Sequence, residues 1–107
     1  MTDLEITRLC AEAMHEDKWG EHKGRIAYPD YSAVDVNETG PTMHTYDPLH
    51  DDAQAMALVK KMGLHIEPED QHWTVAPAES DAWSESVDLN RAICKCVAKM
   101  QAAKGAK

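Results

Sequence analysis

The chain has 107 residues and a formal charge of −8, from 11 Lys and Arg against 19 Asp and Glu. That charge argues against general nucleic-acid binding and against anionic membrane surfaces, since both call for a basic face. The length suits one compact domain, which buries roughly two-thirds of its unfolded surface and needs neither disulfides nor metal to hold a core. There is no Phe, so Leu, Ile, Val, Met and three Trp must fill the interior. Three Cys, an odd number without framework spacing, predict a reducing, cytoplasmic setting. No long apolar run is present, so neither a signal peptide nor a transmembrane helix is expected.

The first helix is expected over residues 3–14. Thr2-Asp3-Leu4-Glu5 is a capping box, with Met1 and Ile6 placed for a hydrophobic staple. Ile6, Leu9, Cys10 and Ala13 then form one apolar stripe, so Cys10 reads as a buried, inert thiol. Residues 15–43 form a long irregular segment bearing Trp19, Tyr28 and Tyr31. Short strands fit around 25–28 and 32–36, and Asn37-Glu38-Thr39-Gly40-Pro41 is turn chemistry.

Residues 42–46 read as a strand leading into the densest helix signals of the chain. There Asp47 can cap and Pro48 can take the first helical position. Ala55, Leu58, Val59 and Met62 form the apolar stripe, and Gly63 ends the helix. This helix is expected to be the central one. Alternation over 64–67 and 72–76 around Pro68-Glu69-Asp70-Gln71 predicts an antiparallel hairpin. Residues 77–86 read as an exposed acidic loop carrying Trp83. Leu89, Ala92, Ile93, Cys96, Val97 and Met100 mark the third helix, capped by Ser86 or Asp88, with 101–107 frayed.

Two clusters bear on chemistry. His44, Asp47, His50, Asp51 and Asp52 form the densest group of metal-ligand types, with His44, His50 and Asp51 as the candidate set. The carboxylates already have roles at a helix N-terminus, and no His-x-x-x-His pair occurs, so no metal and no cofactor is expected. Cys94-Lys95-Cys96 is not a redox or zinc pair, because residues two apart on a helix point to different sides. Cys96 lies on the core stripe and Cys94 off it.

As a set, Ala13-Met14 with Trp19, the run Tyr46-Asp47-Pro48-Leu49-His50-Asp51-Asp52-Ala53-Gln54-Ala55-Met56, Trp73-Thr74-Val75 and Arg91-Ala92-Ile93-Cys94-Lys95-Cys96-Val97 resemble the phage ABA sandwich domain family. The resemblance implies a phage or prophage protein with a layered α/β fold and no assigned activity. No catalytic residue carries over.

The expected fold is therefore a single α+β domain of order α-β-α-β-β-α, a small, mainly antiparallel sheet packed with three helices in an α/β/α sandwich-like arrangement. The expected function is non-enzymatic binding of a host or phage protein with a basic surface. Glu16, Asp17, Trp19, Glu21, Tyr28, Tyr31 and Trp83 are the candidate contacts, because loop aromatics and acidic groups anchor and steer such interfaces. The alternative is a nucleotide-like small-ligand site or a metal-assisted enzyme site centred on residues 44–52.

Overall fold

The computed structural model describes residues 1–30, 42–78 and 81–105. Along them run α1 (Asp3–His15), β1 (Gly20–His22), β2 (Arg25–Asp30), β3 (Thr42–Thr45), α2 (Asp52–Met62), β4 (Leu64–Pro68), β5 (Trp73–Pro77), β6 (Ser84–Ser86) and α3 (Leu89–Gly105). Every described strand pairing is antiparallel, so the class is α+β with three helices. The strands form two three-stranded sheets, β1-β2-β3 and β4-β5-β6, in place of one small sheet. The expected element order gains β1, β2 and β6, and β2 extends the short strand expected around 25–28 to Asp30.

Local chemistry accounts for most boundaries. The Thr2 hydroxyl accepts from the Glu5 amide at 3.1 Å, which starts α1 as the capping box predicts. Met1 stays 66% exposed, so the staple covers little of Ile6's surroundings. The irregular segment is less irregular than its sequence. Lys23 and Gly24, with φ of 52° and 76°, make a two-residue hairpin turn between β1 and β2. Two positive φ angles match the right-handed twist of the flanking strands. Tyr31, residues 32–36 and the 37–41 turn lie outside the described residues.

The second helix begins later than expected. Asp51, not Asp47, is its cap, accepting from the Gln54 amide at 3.0 Å. Asp47-Pro48-Leu49-His50 is a turn instead, closed by the His50 amide on the Asp47 carbonyl at 3.0 Å. Pro48 and Leu49 are buried and hold this turn against the core. The Gln54 side chain bridges it, accepting from the Asp47 amide at 2.6 Å and donating to the Thr45 carbonyl at 3.0 Å. Gly63 ends α2 at φ 65°, as expected.

The β4–β5 hairpin has the predicted pairing, with Ile66 opposite Val75. The expected loop over 77–86 is not all loop. Its end is β6, paired with β5 through Val75↔Ser84 and Trp73↔Ser86. A three-residue strand with Ser at alternate positions has too little apolar pattern to stand out in sequence.

The central helix is α3, not α2. It packs on α1, on α2 and on both β5 and β6. Ala92, Ile93, Cys94, Cys96, Val97 and Ala98 are all buried. Cys94 is therefore a core residue, contrary to the single-stripe reading, because a helix covered on several sides buries a wider arc than one stripe. Its carbonyl accepts from the Cys10 thiol at 3.4 Å. The helix also continues to Gly105 where fraying was expected, and Gln101 donates to Glu12 of α1 at 3.2 Å.

Among the described residues no helix is long and apolar enough to cross a membrane. The core placement predicts a contrast in denaturant melts. Ile93→Ala, at 1% exposure, should cost about 2–5 kcal/mol. Met56→Ala, on the open face of α2 at 40% exposure, should stay within about 0.5 kcal/mol. Similar losses would contradict the central role of α3.

Candidate functional site

The C-terminal end of α1 turns sharply into β1, and this corner carries three of the predicted contacts. The Glu16 amide donates to the Glu12 carbonyl at 3.0 Å and closes the helix. The Lys18 amide then donates to the His15 carbonyl at 2.9 Å, so residues 15–18 form a β-turn. Glu16 is its second residue, at φ 57° and ψ −108°. That conformation matches the first central position of a type II′ turn, where glycine is favoured. A residue with a Cβ is strained there, at a cost of order 1–3 kcal/mol. The Trp19 indole secures the corner by donating to the Glu16 carbonyl at 2.9 Å.

Two hollows flank this corner. One, of about 290 Å³, is lined by Leu9 and Trp19 with Glu5, Arg8 and Glu12 around them. The other, of about 580 Å³, has Glu12, Glu16 and Asp17 across from Lys61 and Lys104. Lys61 is engaged with the Met14 carbonyl at 2.8 Å. Glu16 and Asp17 are exposed, and among the described residues neither carboxylate has an ion pair. Leu9, placed on the core stripe by its spacing, is half-buried and floors the smaller hollow. Glu12 was legible only as one acidic residue among many.

The remaining predicted contacts are not assembled there. Glu21 is committed to Arg8 at 2.6 Å, and that hydrogen bond holds its carboxyl below the usual range. Trp83 lies beside α3, 52% exposed, and does not line the hollow that Trp19 lines. Tyr28 is half-buried in an aromatic cluster. It stacks on His15 with centroids 4.2 Å apart, and Tyr46 meets both rings edge-on. Desolvation, with a smaller contribution from Lys61, pushes the His15 pKa down. Burial pushes the Tyr46 phenol up, helped by Cys10, Cys94 and Tyr28.

The candidate metal set does not converge. His44 lies against Tyr28, with centroids 5.6 Å apart. His50 Nδ1 faces both Asp47 carboxylate oxygens at 2.9–3.0 Å. Asp51 is spent capping α2. Among the described residues no three His, Cys, Asp or Glu are grouped to hold a metal ion. An open cleft of about 510 Å³ does lie beside this turn, lined in part by Asp3, Arg25, Tyr46, Asp47 and His50. Asp3 is held there by Arg91 in a two-pronged pair at 2.9 and 3.1 Å.

No family model, no curated protein and no solved structure matches the chain.

Two outcomes test this geometry. Glu16→Gly should raise stability by roughly 1 kcal/mol, because relieved strain exceeds the added unfolded-chain entropy, while Glu16→Ala, which keeps a Cβ, should change it by less than about 0.5 kcal/mol. A Gly variant no more stable than the Ala variant in thermal melts would mean that the corner is unstrained. For His15, the folded pKa lies below the ordinary 6.5. Its stabilising contribution is therefore complete above that ordinary value and is lost as pH falls through the folded one. The His15 ring should titrate below 6.5 by NMR. The fall in melting temperature from about pH 7 to about pH 5 should be shallower in His15→Gln. A ring midpoint at or above the ordinary value would contradict the burial argument.

Proposed function

We propose that this chain is a small phage or prophage accessory protein, as its resemblance to the phage ABA sandwich domain family implies. We further propose that it acts without catalysis, by binding a host or phage protein through the acidic corner at the end of α1. The observation that carries this reading is Glu16. A charged residue occupies a backbone position at which glycine would cost less. Strained positions cluster at functional sites, where the side chain matters more than the lost stability. Glu16 and Asp17 present exposed carboxylates there with no ion pair among the described residues, and Trp19 beside them adds aromatic area of the kind that anchors interfaces. A basic patch on the partner would complement this surface and speed encounter, less so as salt rises.

Glu21 is withdrawn from the steering set because Arg8 neutralises it. Its reversal would disturb the β1 junction as well as the charge. A second reading rests on the 510 Å³ cleft, whose volume lies within the range of small-ligand sites. Its Arg25 and His50 could meet an anionic group such as a nucleotide phosphate. Against that reading, His50 already faces Asp47, and His44 and Asp51 do not line the cleft.

The immobilised chain should capture a bacterial protein that salt releases. Glu16→Lys with Asp17→Lys should lose that protein while the fold and melting temperature are kept. Equal capture by the double variant would overturn the acidic corner as the contact. ATP or GTP raising the melting temperature of wild type, but not of Arg25→Ala, would favour the cleft instead.

A further inference from the structure

A groove of about 370 Å³ runs along α3, lined by Met1 and Ile6 from the α1 side and by Arg91, Lys95 and Lys99. The three cations recur every four residues, so they lie on one face of the helix. They differ in how their charge is met. Arg91 is neutralised by the two-pronged pair with Asp3. Lys95 and Lys99 donate to main-chain carbonyls, of Glu85 at 3.5 Å and Trp83 at 2.9 Å. A carbonyl is neutral, and each ammonium has three donors, so both lysines keep their charge and spare N–H groups. Among the described residues neither makes an ion pair with a carboxylate.

Apolar surface adjoins the cations. Met1, 66% exposed, lines the groove, and Trp83, 52% exposed, lies beside it with its ring centroid 5.7 Å from Lys99 Nζ. On a chain of charge −8, two fixed, uncompensated cations beside exposed apolar side chains are out of keeping with the rest of the surface. The carbonyls of residues 83 and 85 are two apart, hence on one edge of the β6 segment. Lys95 and Lys99 donate to them and α3 packs on β6, so that edge is covered against addition of an extended peptide. That leaves a ligand met by side chains alone.

We propose that this groove is a binding site for a small amphiphilic carboxylate. Its acid group would lie between the Lys95 and Lys99 ammonium groups, and its hydrocarbon body along the exposed Met1 side chain, over the almost fully buried Ile6. Charge-assisted hydrogen bonds fix the head, and apolar contact selects the tail. The site is separate from the acidic corner of α1 and does not depend on the function proposed there.

The test is an NMR titration of the ¹⁵N-labelled chain with hexanoate. Saturable shifts confined to the neighbourhood of Ile6, Arg91, Lys95 and Lys99 are expected, weakening as salt rises. Acetate, which lacks the tail, and hexanol, which lacks the charge, should each bind about tenfold more weakly or worse. Lys95→Gln with Lys99→Gln should lose hexanoate binding by about tenfold or more with the melting temperature kept. Lys95→Arg with Lys99→Arg should retain it. Hexanol binding as well as hexanoate, unsaturable or scattered shifts, or unchanged binding in the Gln variant would each overturn the proposal. So would a short Glu-Leu peptide that binds more tightly than hexanoate, since the groove would then be a peptide-docking surface.

Discussion

Helix α3 must be covered on several sides at once, and the rest of the fold follows from that requirement. Ala92, Ile93, Cys94, Cys96, Val97 and Ala98 leave no wide polar face over its middle turns. α1 and α2 cover part of this surface, and β5 and β6 cover more. Small side chains allow the close approach of α1. Cys10 and Ala11 face α3 from one helix, and Cys94 and Ala98 are buried in the other. The Cys10 thiol resolves its own polarity by donating to the Cys94 carbonyl. Its hydrogen bond with Cys94 and its burial push its pKa up, and burial pushes Cys96 up to about 11. These thiols are packing groups rather than nucleophiles, since only the thiolate attacks.

Charge is distributed in a related way. The chain spends Arg8 on Glu21 and Arg91 on Asp3, which tie α1 to β1 and to α3. Exposed pairs of this kind contribute little to stability, about 0–1 kcal/mol each. Their larger effect is to remove those charges from the field that a partner meets. Among the described residues, Glu16 and Asp17 at the end of α1 and Lys95 and Lys99 along α3 are among the charges left outside such pairs. On a chain of net charge −8, the two lysines give α3 a local cationic face.

The α1 corner links this distribution to function. Its turn geometry favours glycine, its carbonyl is held by Trp19, and the residue present is a glutamate. Stability and surface chemistry pull in opposite directions at that one position. The aromatic cluster beneath it, with His15 stacked on Tyr28 and Tyr46 edge-on to both, gives the corner a rigid support.

The parts of this protein that sequence determined are those set by neighbours within a few residues. Thr2 caps α1, Gly63 ends α2, and the β4–β5 hairpin has its expected partners, because capping, φ preference and period-two alternation are local. Residue type and position in an irregular segment mark Glu16, Asp17 and Trp19 as candidate contacts, but not the strained turn that brings them together. Asp47 and Asp51 illustrate the limit of local rules. Both are good caps, and burial of Pro48 and Leu49 together with the Gln54 bridge decided between them. Tertiary packing also decided that Cys94 is buried, that β6 joins the second sheet, that α3 and not α2 is central, and that Glu21 is paired away while Lys95 and Lys99 are not. Each of these depends on groups distant in sequence, such as Asp3 with Arg91 or Cys10 with Cys94. A helical stripe shows that one face is covered, but only the fold shows how many elements cover it.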